Sequence, residues 1–111
     1  MTPTPTFTTP RLAVFRQDVV ISETLCAPRA LFVAFPREAD CPRVVCTMLV
    51  SLAGFFPAYV DWVATDPDFR RQGFAAELWR GVAAYLGPLS AEGVSEAGEA
   101  LVAKMERENL A

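Results

Sequence analysis

Residues 66–78 carry the clearest chemical signal in the chain: Asp66-Pro67-Asp68-Phe69-Arg70-Arg71-Gln72-Gly73-Phe74-Ala75-Ala76-Glu77-Leu78. A proline-bearing turn runs into two arginines, a glutamine and a glycine, and a helical pattern starts at once. The first backbone N–H groups of a helix have no partner inside it and point outward together. With the helix macrodipole they form a site for an anion. A glycine at that point lets a phosphate approach the backbone with no Cβ in the way. Arg70 and Arg71 add positive charge beside it. The amides of Arg71, Gln72, Gly73, Phe74 and Ala75 are therefore candidates to cradle a pyrophosphate. A plainer account of the same residues is a turn glycine next to two solvated arginines.

Other reactive groups are few. The 111 residues include no His, so acid–base chemistry near neutral pH falls to carboxylates, Tyr, Cys or water. Cys26, Cys41 and Cys46 make an odd count, which suggests reduced thiols and a cytoplasmic setting. The Cys41–Cys46 spacing does not suit a zinc site, so these residues are expected to be small buried apolar groups and no metal is expected. A net charge of −3 and a pI near 4.9 argue against holding nucleic acid by bulk charge.

The elements that position these groups follow from hydrophobic period. With 52% hydrophobic residues the chain can build a core, and its length fits one domain over residues 11–111. Residues 1–10, rich in Pro and Thr, suit a flexible, extended lead-in and lack the pattern of a signal peptide. Strands are expected over 11–20, 30–35, 44–52 and 58–65, joined by short connections as an antiparallel meander. The stretch 44–60 lacks charge, but Gly54 and Pro57 make two strands around a turn a better account than a membrane helix. The period then changes. Phe74, Leu78, Val82 and Leu86 mark a helix over 73–86 that Gly87-Pro88 stops. Val94, Ala97, Leu101, Val102 and Met105 mark a second helix, with Ser95 as N-cap and Lys104 and Arg107 near its end.

The order strand, Asp-Pro turn, aromatic, basic pair, glycine, small residue, helix resembles the coenzyme-A-binding motif of the GNAT family of N-acetyltransferases. The family signature Gln/Arg-x-x-Gly-x-Gly/Ala is matched by Arg70-Arg71-Gln72-Gly73-Phe74-Ala75. The strand ending Val-x-Pro-x-Tyr that often precedes it is similar to Thr65-Asp66-Pro67-Asp68-Phe69. The resemblance is strongest over residues 58–87. It implies a GNAT-like α+β fold: a mixed, mainly antiparallel sheet with the motif helix and the C-terminal helix packed on it. It also implies acetyl transfer from acetyl-CoA, as co-substrate, to an amine of unspecified identity. Backbone groups at Val63, Ala64 and Thr65 would meet the pantetheine arm, and Arg70 through Ala75 the pyrophosphate. Asp61, on the strand before the motif, is the candidate base, and strand periodicity places it on a face with Tyr59 and Val63. An ordinary polar residue on a solvent face is an equal account of Asp61. Tyr59 is the candidate acid.

The chain departs from the family in two places. Only residues 22–31 separate the first two strands, so the usual helical pair there is reduced. Residues 87–98 do not resemble the fifth strand that splays from the fourth to open a V-shaped slot, so one wall is expected to be missing. A homodimer or partner chain would complete the sheet, or the domain would be a non-catalytic module for coenzyme-A binding or protein interaction. No nucleic-acid or membrane partner is expected.

Overall fold

A computed structural model of the protein describes residues 4–19, 28–37, 43–52, 58–90 and 96–108. The elements are β1 (Phe7–Thr8), β2 (Leu12–Val19), β3 (Arg29–Pro36), β4 (Cys46–Ser51), β5 (Ala58–Thr65), a short 3-10 turn (Pro67–Phe69), α1 (Phe74–Leu86), β6 (Leu89–Ser90) and α2 (Glu96–Arg107). One sheet runs in the order β1-β2-β3-β4-β5-β6. Its first five strands are antiparallel neighbours, and β5 and β6 are parallel. The protein is thus α+β with a mixed, mainly antiparallel sheet. The turn expected around Gly54 and Pro57, the cysteines Cys26 and Cys41, and the N-cap Ser95 lie outside the described residues.

Alternation of side chains gives the sheet two unlike faces. In register across the strands, Phe32 lies beside Met48 and Met48 beside Val63; Ala30 lies beside Val50 and Val50 beside Val60. With Leu12, Val14, Ala34 and Cys46 these residues form the core face. Helix α1 crosses it and buries Ala76, Leu78, Trp79, Val82 and Ala83. Trp79 is 1% exposed, and truncating a buried Trp to Ala typically costs about 3–5 kcal/mol. It is thus a main anchor of α1. Helix α2 packs on α1 and adds Leu101, Val102 and the fully buried Met105 to the same core.

Two sequence-based expectations change. The lead-in is extended as expected, but part of it is fixed: Phe7–Thr8 pair with Val14 and Ala13, and Thr9 is buried. The Phe7 ring lies 6.2 Å from Phe32 and 5.5 Å from Tyr85. Gly81 makes room for it, because a Cβ there would sit 2.6 Å from the Phe7 ring edge. The second change is at residues 87–98, where no strand was expected. After Gly87, whose N–H bonds to Ala83 O at 2.7 Å, Leu89 and Ser90 pair with Ala58 and Tyr59 as β6. Two residues are too short to show a period. Its pairing with β5 identifies the strand instead, and Leu89 is buried in the core.

No helix of the described residues is long and apolar enough to cross a membrane. The uncharged stretch beginning at Val44 supplies β4 and the start of β5.

Candidate functional site

The parallel pair defines where a site can form. β5 leads into the basic loop, α1 returns along the sheet, and β6 pairs again with only the first two residues of β5. From Val60 to Thr65, β5 has β4 on one side and no described strand on the other. Open α/β arrangements of this kind bind ligands beyond the carboxyl ends of the parallel strands, beside the helix N-terminus.

The loop is locked by its own residues. Asp66 accepts the Asp68 amide at 2.9 Å and starts the 3-10 turn. Arg43 holds both Asp66, at 3.1 Å, and Asp68, and it lies 5.3 Å over the Phe69 ring. The Phe69 and Phe74 rings meet edge to face at 6.0 Å. Arg70 turns back to the end of β5, its Nε donating to Thr65 O at 3.3 Å. Arg71 has φ 64° and Gly73 φ 79°. A left-handed conformation costs a residue with a Cβ about 1–2 kcal/mol, so Arg71 marks a strained point in the loop. Gly73 accepts the first intrahelical bond, from the Glu77 amide at 3.0 Å, and no side chain caps the amides that follow it. The helix therefore begins at Phe74, one residue after the expected start. Those amides can take an anion.

Glu77, in the first turn of α1, ties the loop to the β1–β2 turn. Its carboxylate accepts the Thr9 hydroxyl, the Arg11 amide at 2.9 Å and Arg11 Nε at 2.6 Å. Burial pushes this carboxyl up, but the Thr9 hydroxyl and the Arg11 guanidinium and amide outweigh it and hold it below the usual carboxylate value. Arg11 in turn lies 4.1 Å over the Phe74 ring.

The candidate residues on β5 fall on both faces, because the strand carries a bulge. Leu49 lies opposite Trp62 and Val50 opposite Val60, which leaves Asp61 as the extra residue. Tyr59, Asp61 and Trp62 therefore lie on the face away from α1, while Val60 and Val63 face the core. The expectation that Asp61 shares a face with Tyr59 holds; the expectation that it shares one with Val63 does not, since the bulge resets the alternation between them. Asp61 is already engaged: Ser51 Oγ donates to it at 2.7 Å and Arg29 Nε lies 3.3 Å away. Tyr59 is 40% exposed. Ala64 is exposed and Thr65 half-buried beside Cys46. Burial raises the Cys46 thiol, against smaller opposing effects from Thr65 and Thr47, so it stays protonated near neutral pH. Among the described residues no group of His, Cys, Asp and Glu is arranged to hold a metal.

Arg70, Arg71, Gln72, Gly73, Phe74 and Ala75 thus form one loop and helix start, with Val63, Ala64 and Thr65 leading into it. Reading the sequence alone missed Thr9, Arg11 and Arg43. Arg11 and Arg43 meet the loop from far along the chain, and no local pattern points to them. Only Glu77, an acid in a helix first turn, left a local trace. Comparison with family models, curated proteins and solved structures found no match.

Proposed function

We propose that the protein binds an acyl-coenzyme A at this site and transfers its acetyl group to an amine, as in the GNAT family that its motif resembles. The observation that carries the reading is the parallel β5–β6 pair joined by α1, which leaves one edge of β5 without a described strand from Val60 to the loop whose Arg71 and Gly73 have positive φ. In this reading the diphosphate sits on the amides from Arg71 to Ala75 and the pantetheine arm runs back along Thr65, Ala64 and Val63. Thr65 lies four residues on from the bulge, about 13 Å of extended chain, so the thioester end of the arm lies near Asp61. Backbone amides freed by a bulge are suited to polarise a thioester carbonyl.

The amine nitrogen attacks the carbonyl carbon. The new C–N bond forms as the C–S bond breaks, the thiolate leaves, and the amine proton passes to a base. Asp61 is the carboxylate nearest that point on β5, and Tyr59, on the same face, is the candidate to protonate the thiolate. A second copy or a partner chain beside β5 would supply the missing wall of the slot.

A second reading is a coenzyme-A-binding or protein-interaction module without turnover. It is favoured by the Arg29 and Ser51 contacts that already occupy the Asp61 carboxylate. Calorimetric titration with acetyl-CoA, followed by release of free thiol in the presence of a panel of amines, separates the two. Binding with amine-dependent thiol release supports the enzyme; binding without it supports the module. No binding by the folded protein removes both coenzyme-A readings.

A further inference from the structure

Arg11 lies outside the motif, yet it stands against the start of α1. It belongs to the turn between β1 and β2, and three contacts fix its place. Its guanidinium lies 4.1 Å over the Phe74 ring. Its Nε and its backbone amide both bind the Glu77 carboxylate. One terminal nitrogen lies 3.6 Å from the point that a Cβ on Gly73 would occupy. No hydrogen bond among the described residues uses either terminal nitrogen. A guanidinium presents its donors as a rigid fork suited to phosphate oxygens. Here Nε is spent on Glu77, while the two terminal nitrogens are not, and one of them lies beside the open side of the glycine.

We propose that Arg11 is a phosphate-binding residue of this site, gripping the diphosphate of coenzyme A from above Gly73 with the two terminal nitrogens that Glu77 leaves free. The proposal rests on the acyl-coenzyme-A reading and extends it to a residue outside the motif. Charge supports it. The loop region holds four cations, Arg11, Arg43, Arg70 and Arg71, against three carboxylates, Asp66, Asp68 and Glu77. Four against three leaves one net positive charge, and without Arg11 the region would be neutral. Glu77 on its own would repel an anion at the helix start; Arg11 neutralises it and adds donors. Because Glu77 is 12% exposed and also bonded to Thr9, Arg11 is held in place before any ligand arrives, which lowers the ordering cost of binding.

The test uses the full chain and Arg11→Lys. Lysine keeps the positive charge and can still pair with Glu77, but it has one nitrogen and so no second edge for a phosphate. Coenzyme A and pantetheine, which lacks phosphate, are titrated calorimetrically into both proteins, with circular dichroism as the fold control and Arg11→Gln as a second variant. The expected result is an affinity for coenzyme A about tenfold or more weaker in both variants, the effect of losing a charge-assisted contact, with pantetheine binding unchanged. Equal coenzyme-A affinity in wild type and variants overturns the role of Arg11 and leaves the acyl-coenzyme-A reading intact. Equal losses for coenzyme A and pantetheine overturn it too, because they indicate a distorted loop. Failure of the wild type itself to bind coenzyme A removes the underlying reading, and the role of Arg11 with it.

Discussion

Replacing Gly73 with Val tests the loop most directly, because the fold and the ligand respond on separate scales. Gly73 has φ 79°, and a Cβ added there would meet only the Arg11 side chain, at 3.6 Å. There is room for the side chain, so the folding penalty is that of the backbone. A left-handed residue with a Cβ costs about 1–2 kcal/mol, and more for a β-branched one. For a domain of this size that lowers Tm by roughly 5–15 °C. Small domains carry about 5–15 kcal/mol of stability, so the variant stays folded at room temperature. Binding is affected more strongly. The isopropyl group stands where a phosphate oxygen must approach the amides. Losing two charge-assisted hydrogen bonds, at about 1.5–3 kcal/mol each, amounts to a hundredfold or more in Kd. Gly73→Asn separates the two effects, because Asn visits the left-handed region with little strain yet still carries a Cβ. Thermal melts should show Asn near wild type and Val below it, while calorimetry shows coenzyme-A binding weakened in both. A folded Gly73→Val protein with wild-type affinity would refute the pyrophosphate-loop argument.

Three further outcomes follow from the same contacts. The Glu77 carboxyl lies below its ordinary value in the folded state, so its contribution to stability is present above the ordinary glutamate pKa and is lost as pH falls through the lower folded value. Melts at descending acidic pH should therefore show a steeper loss for wild type than for Glu77→Gln, and parallel curves would dismiss this linkage. If Asp61 takes the amine proton, Asp61→Asn should cut turnover by at least about a hundredfold, the lower end for a general base, with acetyl-CoA affinity unchanged; equal turnover removes it from the mechanism. Gly81→Ala should lower Tm although Ala favours helices by about 1 kcal/mol, because the new Cβ meets the Phe7 ring at 2.6 Å; a raised Tm would mean that β1 shifts at little cost.

The regular elements were legible to different degrees. Strand β5 has the bounds that its composition suggested, Ala58–Thr65, because it alternates and ends at an Asp-Pro turn. Helix α1 was legible from the step of four, and Gly73 from its place ahead of that pattern. Trp79 was less so: its near-complete burial depends on how α1 lies across β4 and β5. The face of Val63 was misread because a bulge leaves no mark in the order of residues; it arises where β4 and β5 fit together.

What the sequence by itself determined is what local periodicity and backbone chemistry dictate: an α+β chain, a meander followed by a helix, and a glycine at a basic turn. Tertiary structure decided the rest. Pairing placed Leu89 and Ser90 beside β5, drew Phe7 and Thr8 out of the lead-in, and left one edge of β5 without a described strand beyond Tyr59. Packing brought Arg11 above Gly73 and bound it to Glu77. These are contacts between residues far apart in the chain. Their energies depend on register and burial across the whole sheet, which no short window of residues contains.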